Sequence, residues 1–268
     1  MPELTMANHA LGCAIYFDTD LSADTTALFA LWDALAPAAS AEVTQWITAE
    51  RTQQVGKPVA FDASALRQRI EHGEAASVAI ETAPKTADEE RVLVLAQTTP
   101  AARLRDAVPP RHWKYNLVVA LGARPLERIG RQTAVDAVVA CADHIGVKAG
   151  VMHWTATTSF ASGLAMGAAG GGLSASEEAR ITDSLYWRSH WGRIVRGPAW
   201  GTFLGSAHVE RLGGLDKLRP SCTRIVPLRS GGAFLQLTSV DEPILDGEDD
   251  DRIARLRGAL GDLAPDPA

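Results

Sequence analysis

The sequence lacks the features that would direct a chain out of the cytoplasm or into a membrane. Its start, MPELTMANHALGCAIYF, has neither the basic residues nor the long apolar run of a signal peptide. No window reaches the roughly 18 apolar residues that a membrane-spanning helix needs. The three cysteines, Cys13, Cys141 and Cys222, make no CxxC or Cys/His ligand spacing. We therefore expect free thiols in a reducing compartment and a cytoplasmic protein.

Sequence signatures of catalysis and cofactor binding are also scarce. The glycine-rich run at 167–172 is not followed by Lys-Ser/Thr and makes no dinucleotide fingerprint. His153, His190 and His208 have no second ligand at a spacing such as HExxH. Ser206 does not lie in GxSxG. We therefore expect no enzyme, no cofactor and no metal, and a small cytoplasmic enzyme with an unrecognised site stays as an alternative.

The composition is that of an ordinary globular protein, but its charge is unevenly placed. Hydrophobic residues make up 46% and charged residues 22%, which is enough apolar material for a sizeable core. The formal net charge is −6, and residues 241–251 hold seven acids with no Lys or Arg. The other 25 acids nearly balance the 26 Lys and Arg residues. This pattern argues against nucleic acid as a direct partner and favours a basic partner surface.

Short apolar runs alternate with amphipathic helical patterns along the chain. Two strand pairs, 77–82 with 91–97 and 223–228 with 233–238, are joined by turn residues typical of antiparallel hairpins. We therefore predict an α+β fold, an antiparallel β-sheet with helices packed on it. The other predicted strands are 11–17, 43–48, 115–121 and 148–154, and the main predicted helices are about 22–36, 62–70, 126–145, 174–187 and a last one from Arg252. The first of these helices places Leu28, Leu31, Trp32 and Leu35 on one face.

The order of elements also predicts a division of the chain. A proline-rich stretch predicts a linker at 101–112, between an N-terminal half at 1–100 and a C-terminal half at 113–268. A strand, an amphipathic helix and a strand with tryptophan occur in both halves, as VTQWITA around Trp46 and GVMHWTA around Trp154. This repetition leads to the hypothesis that the chain has two related β-α-β halves.

The segment GPAWGTFLGSAHVERLGG, at 197–214, has the character of a core segment. Its apolar residues precede a short helix that begins at Ser206, whose hydroxyl can cap the helix. Gly213 can take the left-handed conformation that ends the helix. The segment contains no nucleophile–base pair and no metal-ligand spacing.

This segment, with the strand pair and acidic turn that follow it, resembles the type VI secretion immunity family that pairs with VRR-type nuclease toxins. The resemblance covers about 185–263, and upstream only the order of elements agrees. It implies an immunity protein that neutralises a co-encoded toxin, expected to be a nuclease; a secretion-system adaptor is the other non-enzymatic alternative. The motif falls on Gly197, Trp200, Thr202, Phe203, Leu204, Gly205, Leu212, Gly213 and Gly214.

The candidate partner-binding residues combine the acidic segment with two tryptophans. A nuclease must present a basic groove to phosphates, and an acidic surface can occupy such a groove. Aromatic residues and arginine are enriched at interface centres. The structural alternatives are that the acids stabilise a helix N-terminus and that the tryptophans pack in the core. The predicted partner-binding residues are Asp246, Glu248, Asp249, Asp250, Asp251, Trp187 and Trp191.

Overall fold

The strands form one antiparallel sheet. The computed structural model describes residues 9–49, 54–83, 86–98, 115–166, 173–179, 195, 198–245 and 250–264. Its strands are β1 (Ala10–Phe17), β2 (Val43–Ala49), β3 (Val59–Ala60), β4 (Ala75–Thr82), β5 (Val92–Gln97), β6 (Tyr115–Leu121), β7 (Val147–Thr155), β8 (Gly201–Leu204), β9 (Arg224–Pro227) and β10 (Ala233–Gln236). The order is β3-β2-β4-β5-β6-β1-β7-β8-β10-β9, and every neighbouring pair is antiparallel. The predicted α+β fold is thus confirmed.

Strand β1 lies inside the sheet although it comes first in the sequence. It pairs with β6 on one side and β7 on the other, so that Cys13 lies opposite both Val119 and Met152. A strand of the N-terminal half therefore lies between two strands of the C-terminal half. The division into 1–100 and 113–268 stays a prediction, and the predicted linker at 101–112 lies outside the described residues.

Helices pack on both faces of this sheet. No helix in the described ranges combines the length and the apolarity that crossing a membrane requires. The helices are α1 (Thr26–Leu35), α2 (Ala63–Glu71), α3 (Ala123–Ile129), α4 (Arg131–Ile145), α5 (Thr158–Met166), α6 (Ser206–Leu212) and α7 (Asp251–Leu260). Short 3-10 helices lie at Ala36–Ala38, Asp88–Glu90, Asp216–Ser221 and Gly261–Leu263.

The prediction of one helix over 126–145 is wrong, because the chain breaks at Gly130. This residue has a φ of +84°, a conformation that glycine adopts readily and other residues avoid. Helix α3 ends before it and α4 begins after it. The two helices together connect β6 to β7, which flank β1, whereas α1 connects β1 to the distant β2. The two halves therefore differ in how their helices connect the strands.

The larger core lies between one face of the sheet and helices α1 and α4. Helix α1 buries Leu28, Leu31, Trp32 and Leu35, the face that its sequence pattern predicts. They pack in one cluster with residues of β1 such as Ile15. Burying one leucine of this kind stabilises the fold by about 1.5–3 kcal/mol. This core fixes the sheet whose two ends carry the candidate surfaces.

Helix α5 packs closely on the other face. A Cβ atom at Gly12 would lie 2.6 Å from the backbone oxygen of Ala161, so no larger residue fits there without moving the helix. Asp88 holds the first turn of α5: its carboxylate accepts hydrogen bonds from the Thr158 amide (2.7 Å) and the Ser159 amide (3.0 Å). The close approach and the cap together fix α5 over β1 and β6.

Candidate interaction surfaces

Most of the described motif residues that carry the family resemblance, among them Trp200, Phe203 and Leu204, are part of the core. The side chain of Trp200 is 2% exposed and packs edge-on against Trp154, with ring centroids 5.4 Å apart. Its indole nitrogen donates a hydrogen bond to the Thr238 hydroxyl over 2.9 Å. Phe203, in β8, packs against Phe234 of the neighbouring strand with centroids 4.7 Å apart. The motif therefore specifies a fold and does not itself form an exposed site.

The end of the motif is also explained by backbone geometry. Helix α6 begins at Ser206 as predicted, but the prediction that the Ser206 hydroxyl caps it is wrong. Gly205 is the N-cap, and its amide donates a hydrogen bond to Nδ1 of the buried His208 over 3.2 Å. Gly213 then ends the helix with a φ of +70°, and Gly214 follows at +113°. His208 is thus a structural histidine.

One of the described acids of the 241–251 segment, Asp250, is already paired within the chain. Asp250 is the N-cap of α7 and accepts a hydrogen bond from the Arg252 amide over 2.7 Å. Its second oxygen accepts from the Arg252 guanidinium, also over 2.7 Å. This guanidinium holds the pKa of Asp250 below its ordinary value. The sequence left open that acids before Arg252 stabilise a helix N-terminus, and Asp250 does so.

Other acids at this end keep their charge in solvent. Asp241 and Glu242 are exposed, and Asp251 is exposed in the first turn of α7. Helix α7 is held by Leu256 and Leu260, which are buried in the main core. The remaining predicted partner-binding residues lie outside the described part of the chain, so the structure does not place them: Asp246, Glu248, Asp249, Trp187 and Trp191.

The opposite end of the sheet carries an apolar surface that the sequence did not reveal. Val55 and Val59 are 67% and 55% exposed, and no other large hydrophobic residue of the described ranges is classed as exposed. Both line an open hollow of about 280 Å³ beside β2, which we call the β3 hollow. Its other main lining residues are Trp46, Ile47, Lys57 and Arg69. Since β3 has only two residues, it gives no periodic signal in the sequence.

A second cavity lies where α5 begins, and one of its two acids, Asp88, is already hydrogen-bonded within the fold. It measures about 410 Å³, and Asp88, Glu89 and Thr158 are among its lining residues. Besides the two amides of α5, the Asp88 carboxylate accepts a hydrogen bond from the Ser159 hydroxyl over 2.8 Å. A carboxylate that caps a helix in this way is not free to act as a general base.

Burial holds the thiols of Cys141 and Cys222 in an unreactive form. Burial raises the pKa of Cys141 to about 12 and that of Cys222 to about 11, so both thiols stay neutral at physiological pH. In the described ranges, no group of three His, Cys, Asp or Glu residues could hold a metal ion. His153 is buried on β7, and His190 and the glycine run at 167–172 lie outside those ranges.

Comparisons with solved structures show what this fold is similar to. No protein-family model matches the chain, and no curated protein matches it in sequence. The structure resembles that of a T6SS protein of Pseudomonas aeruginosa, where T6SS denotes the type VI secretion system, with a TM-score of 0.60. The match covers 96% of this chain and 73% of that chain at 17% sequence identity. At this identity the two chains share an overall fold.

Proposed function

We propose that the chain is an immunity protein, which binds a toxin delivered by type VI secretion and neutralises it by direct contact. The observation that carries the proposal is the fold shared with a T6SS protein over 96% of this chain. The resemblance of the segment around Trp200 to an immunity family points to the same system. We propose further that the toxin is a nuclease and that the two proteins meet in the cytoplasm.

The charge distribution supports an electrostatic contribution to this contact. A nuclease needs a basic groove, because phosphate contacts dominate affinity for nucleic acid. Exposed acids such as Asp241, Glu242 and Asp251 can face such a groove and accelerate association. Asp250 contributes less net charge to that surface, since its carboxylate already pairs with Arg252. Trp187 and Trp191 are proposed as the apolar anchors of the same contact.

Co-purification with the product of the neighbouring gene tests the proposal. We expect a stable complex of one toxin with one copy of this chain. A secretion-system adaptor, the alternative that the fold likeness also allows, is expected to self-associate or to bind more than one partner. Failure to bind the neighbouring gene product would contradict immunity and return attention to an enzyme with an unrecognised site.

A further inference from the structure

The segment 55–60 forms the edge of the sheet beside β2. It presents exposed apolar side chains, but its backbone is poorly suited to pairing with a further strand. It pairs with β2 at Val59 and again at Val55, opposite Gln45 and Thr48. Three residues, 56–58, oppose two of β2, so the segment bulges between the two contacts. Lys57 and Pro58 occupy this bulge, and bulges, lysine and proline all hinder the addition of another strand. Binding here would therefore act through side chains.

The β3 hollow is suited to receive a single apolar side chain. Its volume is about 280 Å³, and it is bordered by two valines that are more than half exposed. Small apolar hollows at a surface are where the anchor residues of protein partners insert. The valines and Ile47 supply the apolar wall for such an anchor.

The charged side chains that line the hollow are basic, and Glu81 lies beside it, accepting a hydrogen bond from the Trp46 indole over 3.0 Å. The described lining residues include Lys57 and Arg69 and no acidic residue, in a chain of formal net charge −6. Arg69 shares its charge with Glu74 over 3.3 Å, and both side chains remain about half exposed. A symmetric contact between two copies would place Lys57 near its own equivalent, which like-charge repulsion opposes. The hollow thus favours a different protein with carboxylates beside its anchor.

We propose that the β3 hollow binds an apolar side chain flanked by carboxylates on the toxin, and that this contact is separate from the acidic end of the chain. The inference rests on the proposed immunity function. Leu245, beside the acidic residues, bridges Trp154 of β7, and β7 lies six strand spacings from β3 in the described sheet, so the two surfaces lie on the order of 30 Å apart along it. One toxin can reach both surfaces only if it spans the sheet.

The test is the affinity of the purified chain for a catalytically inactive form of the co-encoded toxin. We expect the Val55→Ser/Val59→Ser variant to raise the Kd by at least about tenfold, as the loss of a central anchor contact does. Lys57→Glu is expected to raise the Kd by a few-fold, roughly the effect of one rim charge. Its matched control is Lys148→Glu, which makes the same charge change at an exposed lysine near the start of β7.

The outcomes separate the two proposals. If the toxin binds the valine variant as tightly as the unaltered chain, the proposed role of the β3 hollow is overturned and the immunity proposal still stands. No complex with the unaltered chain would overturn immunity and this inference together. Thermal unfolding of each variant serves as the folding control, because both valines are more than half exposed and their replacement should leave the melting temperature nearly unchanged.

Discussion

The two ends of the sheet carry opposite kinds of surface. At the α7 end, acids crowd a helix N-terminus, and Asp250 is tied to Arg252 by hydrogen bonds as short as 2.7 Å. At the β3 end, exposed Val55 and Val59 border a hollow whose charged lining residues are basic. The acidic run is conspicuous in the sequence, yet part of its charge is used to begin a helix. The apolar hollow is hidden in the sequence and is exposed in the fold.

Both surfaces depend on the same core, so we expect the largest effect from a substitution in that core. Trp200→Ala removes a side chain that is 2% exposed and contacts Trp154 and Thr238. We expect the free energy of unfolding to fall by about 3–5 kcal/mol, as for other large aromatic-to-alanine changes in cores. Urea unfolding measures the change. A loss below about 1 kcal/mol would mean that the Trp200 motif is not part of the stabilising core.

The salt dependence of toxin binding distinguishes the acidic surface from the β3 hollow. Replacing Asp246, Glu248, Asp249, Asp250 and Asp251 by their amides should weaken toxin binding by roughly tenfold at low salt and flatten its dependence on ionic strength, because screening acts on exposed charges. The Val55→Ser/Val59→Ser variant should weaken binding and keep the salt slope. The measurement is the Kd of the toxin complex at several salt concentrations. If the dependence of Kd on salt is the same in the amide variant as in the unaltered chain, the electrostatic contact is ruled out.

The smallest effect concerns the helix cap at the acidic end. Asp250→Ala removes the N-cap of α7 and should cost about 1 kcal/mol of unfolding free energy at neutral pH. Because the pKa of Asp250 is lowered in the fold, its contribution is present above the unfolded pKa near 4 and is lost as the pH falls through the folded value. Urea unfolding of both proteins at pH 7 and pH 3 should show the difference shrinking. A difference that is independent of pH would contradict the ion pair.

Local patterns in the sequence predicted the elements better than their arrangement. The apolar runs of β1 and β6 and the buried face of α1 were predicted because strand and helix periodicity is local. The place of β1 between β6 and β7 was not, since pairing partners lie 98 to 145 residues apart in the sequence. The break at Gly130 was missed because apolar periodicity continues on both sides of it.

The two candidate surfaces also differ in how far the sequence predicts them. The acidic end was predicted from adjacent residues, and its described members Asp250 and Asp251 do lie at the start of α7. The β3 hollow joins residues of β2, the segment after it and α2, so no single stretch of sequence announces it. A local signal was Lys57-Pro58 between Val55 and Val59, a few residues after β2, because lysine and proline are typical of sheet edges that resist further strand pairing.

The most direct test of immunity is a titration of toxin activity. Degradation of DNA by the co-encoded toxin would be measured while this chain is added from zero to several molar equivalents. We expect degradation to stop at one equivalent, in line with a one-to-one complex. Degradation that continues undiminished in the presence of excess chain would contradict the proposed function.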